Sequence, residues 1–520
     1  VVVWCVIWRK TTIVITALAF VGSLAAFGLV SKQFFPTANR PELIVDLKLA
    51  QGASWAATDA EVRKLESWLG TSADVASYTA YVGAGSPRFY LPTVPELANA
   101  NFGQVIVMTK DLVARERVVA ALDELFKTEF EAVRARVQRL QNGPPVSYPV
   151  MFRVLGDDPQ QVRQVAEQVR QVFKADPATR DINFDWNELA KTVRLEVDQA
   201  KARALGVDSQ ALGNTLQTLL TGITVTQYRE RTESIDVVAR AVAPERLSVE
   251  GLEAINIRTS TGGVVSLAQL ATLKYQLEEP ILWRRNKDLL MTVRAGVADG
   301  VQGPDAAARI DKALAPVRAG LPPGFRIEVG GDQEESAKSQ ASIFKMMPLM
   351  AFLMILFLML QLQSFSKLAL VLLTAPLGLI GVSLFLLLFN QPFGFVSLLG
   401  VIALAGMIMR NSVILVDQID QDIEAGHTKW DAVIDATVRR ARPILLTAGT
   451  AIFAMIPLSR SVFWGPMAVA LMGGLLVATA LTLLFLPALY AAWFRVKKPD
   501  AVTEAAPAHH VPPPLAIAAE

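Results

Sequence analysis

The sequence has one cysteine, Cys5, and three histidines, His427, His509 and His510. A single thiol excludes an internal disulfide, and histidines this sparse form no metal-ligand cluster. Charge is also scarce: 19% of residues are charged and 52% hydrophobic, with a mean hydropathy of +0.36. An ordinary soluble domain is richer in charge. The net charge of +2 leaves no basic surplus for a nucleic-acid partner. There is no G-x-x-x-x-G-K-[ST] loop and no catalytic constellation containing histidine. That argues against ATP hydrolysis and against an enzyme, and no cofactor is expected. The chain begins at Val1 rather than Met, so a fragment or a processed piece stays open.

What is present is a series of long charge-free runs. A membrane helix needs about 20 mostly apolar residues. Thr11 to Ser31 is the first run and Met346 to Ser366 the second. Leu368 to Met409 is long enough for two helices, with a break at the turn-type cluster Asn390-Gln391-Pro392-Phe393-Gly394. Ile444–Leu458 and Met467–Tyr490 complete six expected spans. The segment Lys32 to Lys345 is charged nearly throughout, and its longest charge-free stretch, Ser209–Tyr228, is too rich in Thr and Gln to span.

Arginine and lysine set the orientation. Arg9 and Lys10 precede the first span, Lys367 lies between the second and third, and Lys429, Arg439, Arg440 and Arg442 between the fourth and fifth. Arg495, Lys497 and Lys498 follow the sixth, whereas the short loops on the other side carry only Arg460. Both termini are therefore expected in the cytoplasm and Lys32–Lys345 outside it. The first run could instead be a signal peptide, but its length and the lack of a clear cleavage site before Lys32 favour an uncleaved span. Pro499 to Glu520, rich in Pro and Ala, reads as a disordered tail.

The outer segment repeats a pattern. Strand Glu42–Leu49, helix Thr58–Leu69, a strand near Ser77–Val82, strand Gln104–Met108, helix Arg115–Phe130 and strand Arg134–Leu140 give the order β-α-β-β-α-β, a split βαβ unit. The pattern restarts with strand Val150–Leu155, an Asp158 N-cap, helix Pro159–Phe173 and strand Ile182–Trp186. It resumes after an interruption with Leu290–Ala295, helix Pro304–Ala319 and Arg326–Val329. The expected fold class is thus a six-span helical bundle plus an α+β domain of two ferredoxin-like units, the second split by an inserted subdomain. The expected organisation is 1–31 cytoplasmic segment and first span, 32–148 first α+β unit, and 149–191 first part of the second. An insertion at 192–278, the second part at 279–345, spans two to six at 346–495 and a tail at 496–520 complete it.

One residue is out of place. The fourth span contains Ala405-Gly406-Met407-Ile408-Met409-Arg410-Asn411-Ser412-Val413, and arginine at the centre of a membrane helix costs about 2.5–3.5 kcal/mol on insertion scales. It should face a bundle interior and pair with a carboxylate. The hydrophobic spans supply none at that depth. Asp417 is about 10 Å further along the helix, so snorkelling to the headgroups is the weaker reading. Asn411 and Thr447 are polar groups that could join a hydrogen-bonded cluster with Arg410. Gly378, Gly406, Gly473 and Gly474, with Pro348, Pro376, Pro457, Pro466 and Pro487, read as ordinary membrane-helix composition, close helix approach and kinks being the alternative.

Several stretches together resemble the C-terminal half of a resistance-nodulation-division efflux transporter, hydrophobe/amphiphile branch. They are Phe34-Phe35-Pro36, Val197-Asp198-Gln199-Ala200-Lys201-Ala202-Arg203-Ala204-Leu205-Gly206-Val207, Ala375-Pro376-Leu377-Gly378, Arg410-Asn411-Ser412-Val413-Ile414-Leu415-Val416-Asp417 and Arg440-Ala441-Arg442-Pro443-Ile444-Leu445-Leu446-Thr447. The resemblance implies two such halves, twelve spans, a homotrimer in the bacterial inner membrane among lipids, proton-for-substrate exchange, and docking to a periplasmic adaptor and an outer-membrane channel. The α+β units would be porter subdomains and the insertion a docking subdomain. The cation of the family's proton relay falls on Arg410, where lysine is usual, the relay threonine on Thr447 and a supporting arginine on Arg440. Arginine holds its proton far more tightly than lysine, so it suits a counter-ion better than a carrier. The paired aspartates would belong to the other half.

The loop Gly83-Ala84-Gly85-Ser86-Pro87-Arg88-Phe89-Tyr90-Leu91 is similar in position to the family's glycine-rich loop between drug pockets. Gly83 and Gly85 would let it reconfigure, and Arg88, Phe89 and Tyr90 would offer a ligand surface; an ordinary packed loop is the equal alternative. The competing functions are export of lipids, envelope components or metal ions, and a non-transporting sensor or scaffold with a related membrane core.

Overall fold

The computed structural model describes residues 1–186, 189–246 and 249–498; the expected disordered tail lies outside them from residue 499 on. The chain forms two compact units. One comprises Val1–Leu49, Ser54–Asp185 and the chain from Trp283 on, and the other Ala50–Ala53 and Trp186–Leu282.

In the larger unit, six helices among the described residues are long and apolar enough to cross a membrane: Arg9–Phe27, Gly331–Leu362, Phe365–Leu388, Phe395–Glu424, Lys429–Leu458 and Gly465–Trp493. They are called the first to sixth span helices below. They differ in how much of themselves they bury. The sixth buries 67% of its apolar window inside the protein and the second 0%. The sixth can sit at the centre because its middle is glycine: a Cβ on Gly381 of the third helix would lie 2.0 Å from the Gly473 carbonyl oxygen. Close backbone approach of this kind is what small residues allow in a membrane bundle. The composition reading undervalued Gly473 and Gly474, which face Phe385 and Leu404 at contact distance, whereas Gly406 has open space at its Cβ position. The third helix breaks at Pro376 into Phe365–Thr374, a 3-10 turn and Gly378–Leu388. It ends at Asn390, whose φ is +48°, in the turn the sequence marks. Pro348, Pro457 and Pro487 lie inside uninterrupted helices.

The first α+β sheet contains β1 (Glu42–Lys48), β2 (Val75–Val82), β3 (Phe102–Thr109) and β4 (Arg134–Arg139), all antiparallel, in the order β2-β3-β1-β4. Its helices Trp55–Thr71 and Leu112–Glu129 start where Ser54 and Asp111 cap free backbone N–H groups. Leu43, Val45 and Leu47 of β1 pack with Val62, Leu65 and Leu69 of one helix and Val118 and Leu122 of the other in a single core. Strand side chains alternate between faces, so Ile44, Asp46 and Lys48 are left on the face without helices.

The second sheet is built on β5 (Val150–Gly156), flanked antiparallel by Asp288–Val297 and Arg326–Gly330. Strand β6 (Thr179–Phe184) and Trp283–Arg285 both pair with Asp288–Val297. Asp158 caps the helix Pro159–Ala175, its Oδ1 accepting from the Gln160 and Gln161 amides at 2.7 and 3.0 Å. The excursion out of this sheet is the smaller unit. It begins at Trp186, and its strand Ala190–Val197, paired with Ala271–Glu278, runs across the expected boundary at 192. Its core is small: Ala202, Val207, Leu212, Ile257, Leu267 and Leu270. Its hairpin Ile223–Glu230 and Glu233–Ala239 is exposed along both strands.

Candidate functional site

Two places gather the polar residues that the fold does not need for itself. The first is on the fourth span helix. Leu399, Ala403, Gly406, Arg410 and Ile414 are the exposed positions of its apolar part, spaced as one stripe of a 3.6-residue period. Leu404, Ile408, Asn411, Ser412 and Leu415 are buried on the other side. Ser412 Oγ lies 2.9 Å from Thr374 Oγ. Arg410 makes no hydrogen bond or salt bridge among the described residues, and faces out of the helices rather than into an interior acid as expected from burial cost alone. The acids of this helix all lie nearer its end, and three of the four are already engaged. Asp417 accepts from Gln421 Nε2 at 2.8 Å, Asp420 pairs with Lys367 at 2.7 Å, and Asp422 binds Arg439 and Gln418.

On the neighbouring fifth span helix, Thr447 is exposed and its hydroxyl donates back to the Pro443 and Ile444 carbonyls at 2.9 and 3.0 Å. Arg440 is half-buried, and its Nε has no partner among the described residues. The four residues named from the sequence thus separate. Arg410 and Thr447 lie on exposed faces of two packed helices, while Asn411, one residue and about 100° further round, is 5% exposed and turned inward.

The second place is a cavity of about 510 Å³ on the helix-free face of the first sheet. Across the strands, Asp46 stands opposite Gln104 on one side and Arg136 on the other, and Lys48 opposite Arg134. Asp46 accepts from Gln104 Nε2 at 2.8 Å and from Gln138 Nε2 at 2.5 Å. Burial nonetheless dominates and pushes its carboxyl up to about 6. Burial pushes the Lys48 ammonium down, helped by the nearby Arg294. Arg294 enters from the second sheet, and Tyr148 carries two guanidinium groups on its ring, Arg136 at 3.8 Å and Arg294 at 4.7 Å from the centroid. Arg136 donates to the Ser147 carbonyl at 2.5 Å and Arg294 Nε to Asn183 Oδ1 at 2.7 Å.

The loop after β2 reaches this cavity, but not through the residues singled out from its glycines. Gly83, φ +79°, donates to the Phe102 carbonyl at 2.8 Å, and Gly85 to that of Glu96 at 3.3 Å. Arg88 Nε bonds the Leu91 carbonyl at 3.1 Å, Tyr90 its hydroxyl to Asn142 Oδ1 at 3.1 Å, and Phe89 is exposed. The cavity wall is the later part, Pro92 to Leu97. The link between the two is Ser86, whose amide donates to Gln104 Oε1 at 2.8 Å. The sequence reading missed Asp46, Lys48, Arg134, Arg136 and Arg294. The signal for four of them was present as the alternation of charged and apolar residues along β1 and β4.

The model of the AcrB/AcrD/AcrF family matches residues 1–493. The chain belongs to this family. It is 26% identical over 489 residues to the nickel and cobalt resistance protein CnrA of Cupriavidus metallidurans, covering 89% of this chain and 44% of that protein. It is 28% identical over 304 residues to the multidrug export protein AcrF of Escherichia coli, covering 57% of this chain and 29% of that protein. The crystal structure of a heavy metal efflux pump superposes with a TM-score of 0.74 at 23% identity, covering 94% of this chain and 51% of that one. The fold is therefore that of a resistance-nodulation-division permease. The chain spans about half the length of the curated relatives it matches.

Proposed function

We propose that this chain is the C-terminal half of a proton-driven exporter of hydrophobic or amphiphilic compounds. In this reading six spans hold both termini in the cytoplasm of a bacterial inner-membrane protein. Its two ferredoxin-like porter units and its docking unit lie in the periplasm. The observation that carries the reading is the unpaired Arg410 in an exposed apolar stripe. A cation in a membrane needs an acid, and the helices that bring one would be those of an N-terminal half, fused or in trans. Arg410 then acts as the fixed counter-ion that keeps the facing carboxylates able to lose their protons, with Thr447 and Arg440 supporting it from the neighbouring helix. Trimer formation and docking to an adaptor and an outer-membrane channel belong to the same reading.

The cleft supports the substrate side. Its volume falls in the range of organic-ligand sites, about 300–1,000 Å³, and it joins apolar to polar lining. Metal-ion export is the second reading, favoured by the names of CnrA and of the heavy metal pump. Export assays on the natural protein that carries this chain separate the two. Arg410→Ala is expected to abolish dye export and Arg410→Lys to retain part of it. Nickel and cobalt tolerance that rises with the protein while dye export stays absent would favour the metal reading.

A further inference from the structure

The cleft wall carries more cations than carboxylates. The cations on its wall are Lys48, Arg134, Arg136, Arg139 and Arg294, and the carboxylates are Asp46 and Glu96. Arg139 is neutralised by Glu116 at 2.5 Å, and Asp46 is held by two glutamine amides rather than by a cation. Lys48, Arg136 and Arg294 form no salt bridge among the described residues. Asp181 acts at a distance on Arg136, Arg134 and Arg294 and accepts from the Tyr148 hydroxyl at 3.4 Å, and Asp185 acts on Arg294, but neither carboxylate forms a salt bridge with Arg136 or Arg294 among the described residues and neither lines the cavity. Each guanidinium is fixed by stacking on Tyr148 and by one neutral hydrogen bond. A guanidinium has five N–H donors, so such an arrangement orients the group and leaves donors over.

Two like charges on one ring are costly to keep together, and a bound anion would relieve that cost. A divalent metal ion would add to it. The Pro92–Leu97 part of the wall offers apolar surface, with Val94 71% and Leu97 85% exposed, beside the single carboxylate of Glu96.

We infer that this cleft selects organic anions, with a carboxylate or sulfonate head on Arg136 and Arg294 and an apolar body against Val94 and Leu97. The inference rests on the cleft being part of the export path. Charge-assisted hydrogen bonds to such a head discriminate by roughly tenfold or more against an uncharged one.

The test uses dansyl-undecanoic acid, its uncharged methyl ester and ethidium, all with the natural protein that carries this chain. Arg294→Gln is expected to raise the half-saturating concentration for export of the acid about tenfold, and to leave the ester and ethidium within about twofold. Arg294→Lys is expected to recover most of the loss because the charge survives. Equal loss for all three probes would overturn anion selection while keeping the cleft on the path. No change for any probe would overturn the path reading itself, and the inference with it. Direct binding to the unmodified protein does not depend on a variant folding. There the acid is expected to bind about tenfold tighter than its ester, and equal binding would contradict the inference.

Discussion

The fourth span helix and the open face of the first sheet both carry arginine, in opposite settings. Arg410 stands alone in a stripe of Leu399, Ala403, Gly406 and Ile414, with no partner among the described residues. Arg136 and Arg294 stand together, each stacked and hydrogen-bonded, beside a cavity. Water solvates the second kind of site and can give way to a ligand. Lipid solvates the first poorly, and the proposed function supplies its partner from protein. The difference teaches that an unsatisfied charge means different things in different solvents: under the proposed function, a docking face in the membrane and a ligand site outside it.

The sharpest way to break the comparison is at Arg410. Arg410→Ala should eliminate proton-coupled export with protein levels unchanged, measured as dye efflux from cells, whereas removal of one cleft arginine should alter only selectivity. If Arg410→Ala exports normally, the membrane cation has no special standing.

Next in size is a packing change that touches neither arginine. Gly473→Val should cost at least the upper end of about 1–3 kcal/mol for overpacking, because its Cβ would meet Phe385 at 2.3 Å and the Gly381 carbonyl oxygen at 2.5 Å. The readout is the yield of monodisperse protein in detergent. Gly406→Val, with open space at its Cβ position, should be tolerated in the isolated chain.

The comparison also makes a pH claim about the cleft. The Asp46 carboxyl is raised to about 6 by burial, so the folded state takes up a proton that the unfolded chain binds only near pH 4. The contribution of this group to stability is full below about pH 4 and is lost as pH rises through about 6. Asp46→Asn should flatten the fall in Tm between about pH 4 and 6, and a slope identical to the unmodified protein would show that Asp46 titrates normally. The smallest effects belong to the loop. Gly85→Pro removes the amide that bonds Glu96 and should shift the range of exported compounds a few fold. Phe89→Ala should change it about twofold or less, since that ring is exposed and lies off the cavity wall.

Much of this was legible in the sequence, and the reasons are local. Charge-free runs mark the six long apolar helices, and strand and helix periods mark both sheets, with Asp158 capping as expected. Arg410 stood out because one charge in an apolar run has no local explanation. The cleft was not legible for a different reason. Asp46, Gln104, Arg136 and Arg294 come from four strands and two sheets, and it takes the register that sets Asp46 between Gln104 and Arg136 to bring the first three together. The direction of Arg410 was not legible either, because a single helix does not say which of its faces lacks a neighbour. The small strand Ala190–Val197 was passed over because its partner, Ala271–Glu278, lies far along the chain.

The most direct test of the account is transport by this chain alone. Purified chain in lipid vesicles with an imposed proton gradient should show no dye efflux beyond leak, and co-reconstitution with a six-span N-terminal half should restore it. Robust gradient-dependent efflux from the chain alone would contradict the need for a facing acid. It would move the proton path to Asp417 or to a dimer of this chain.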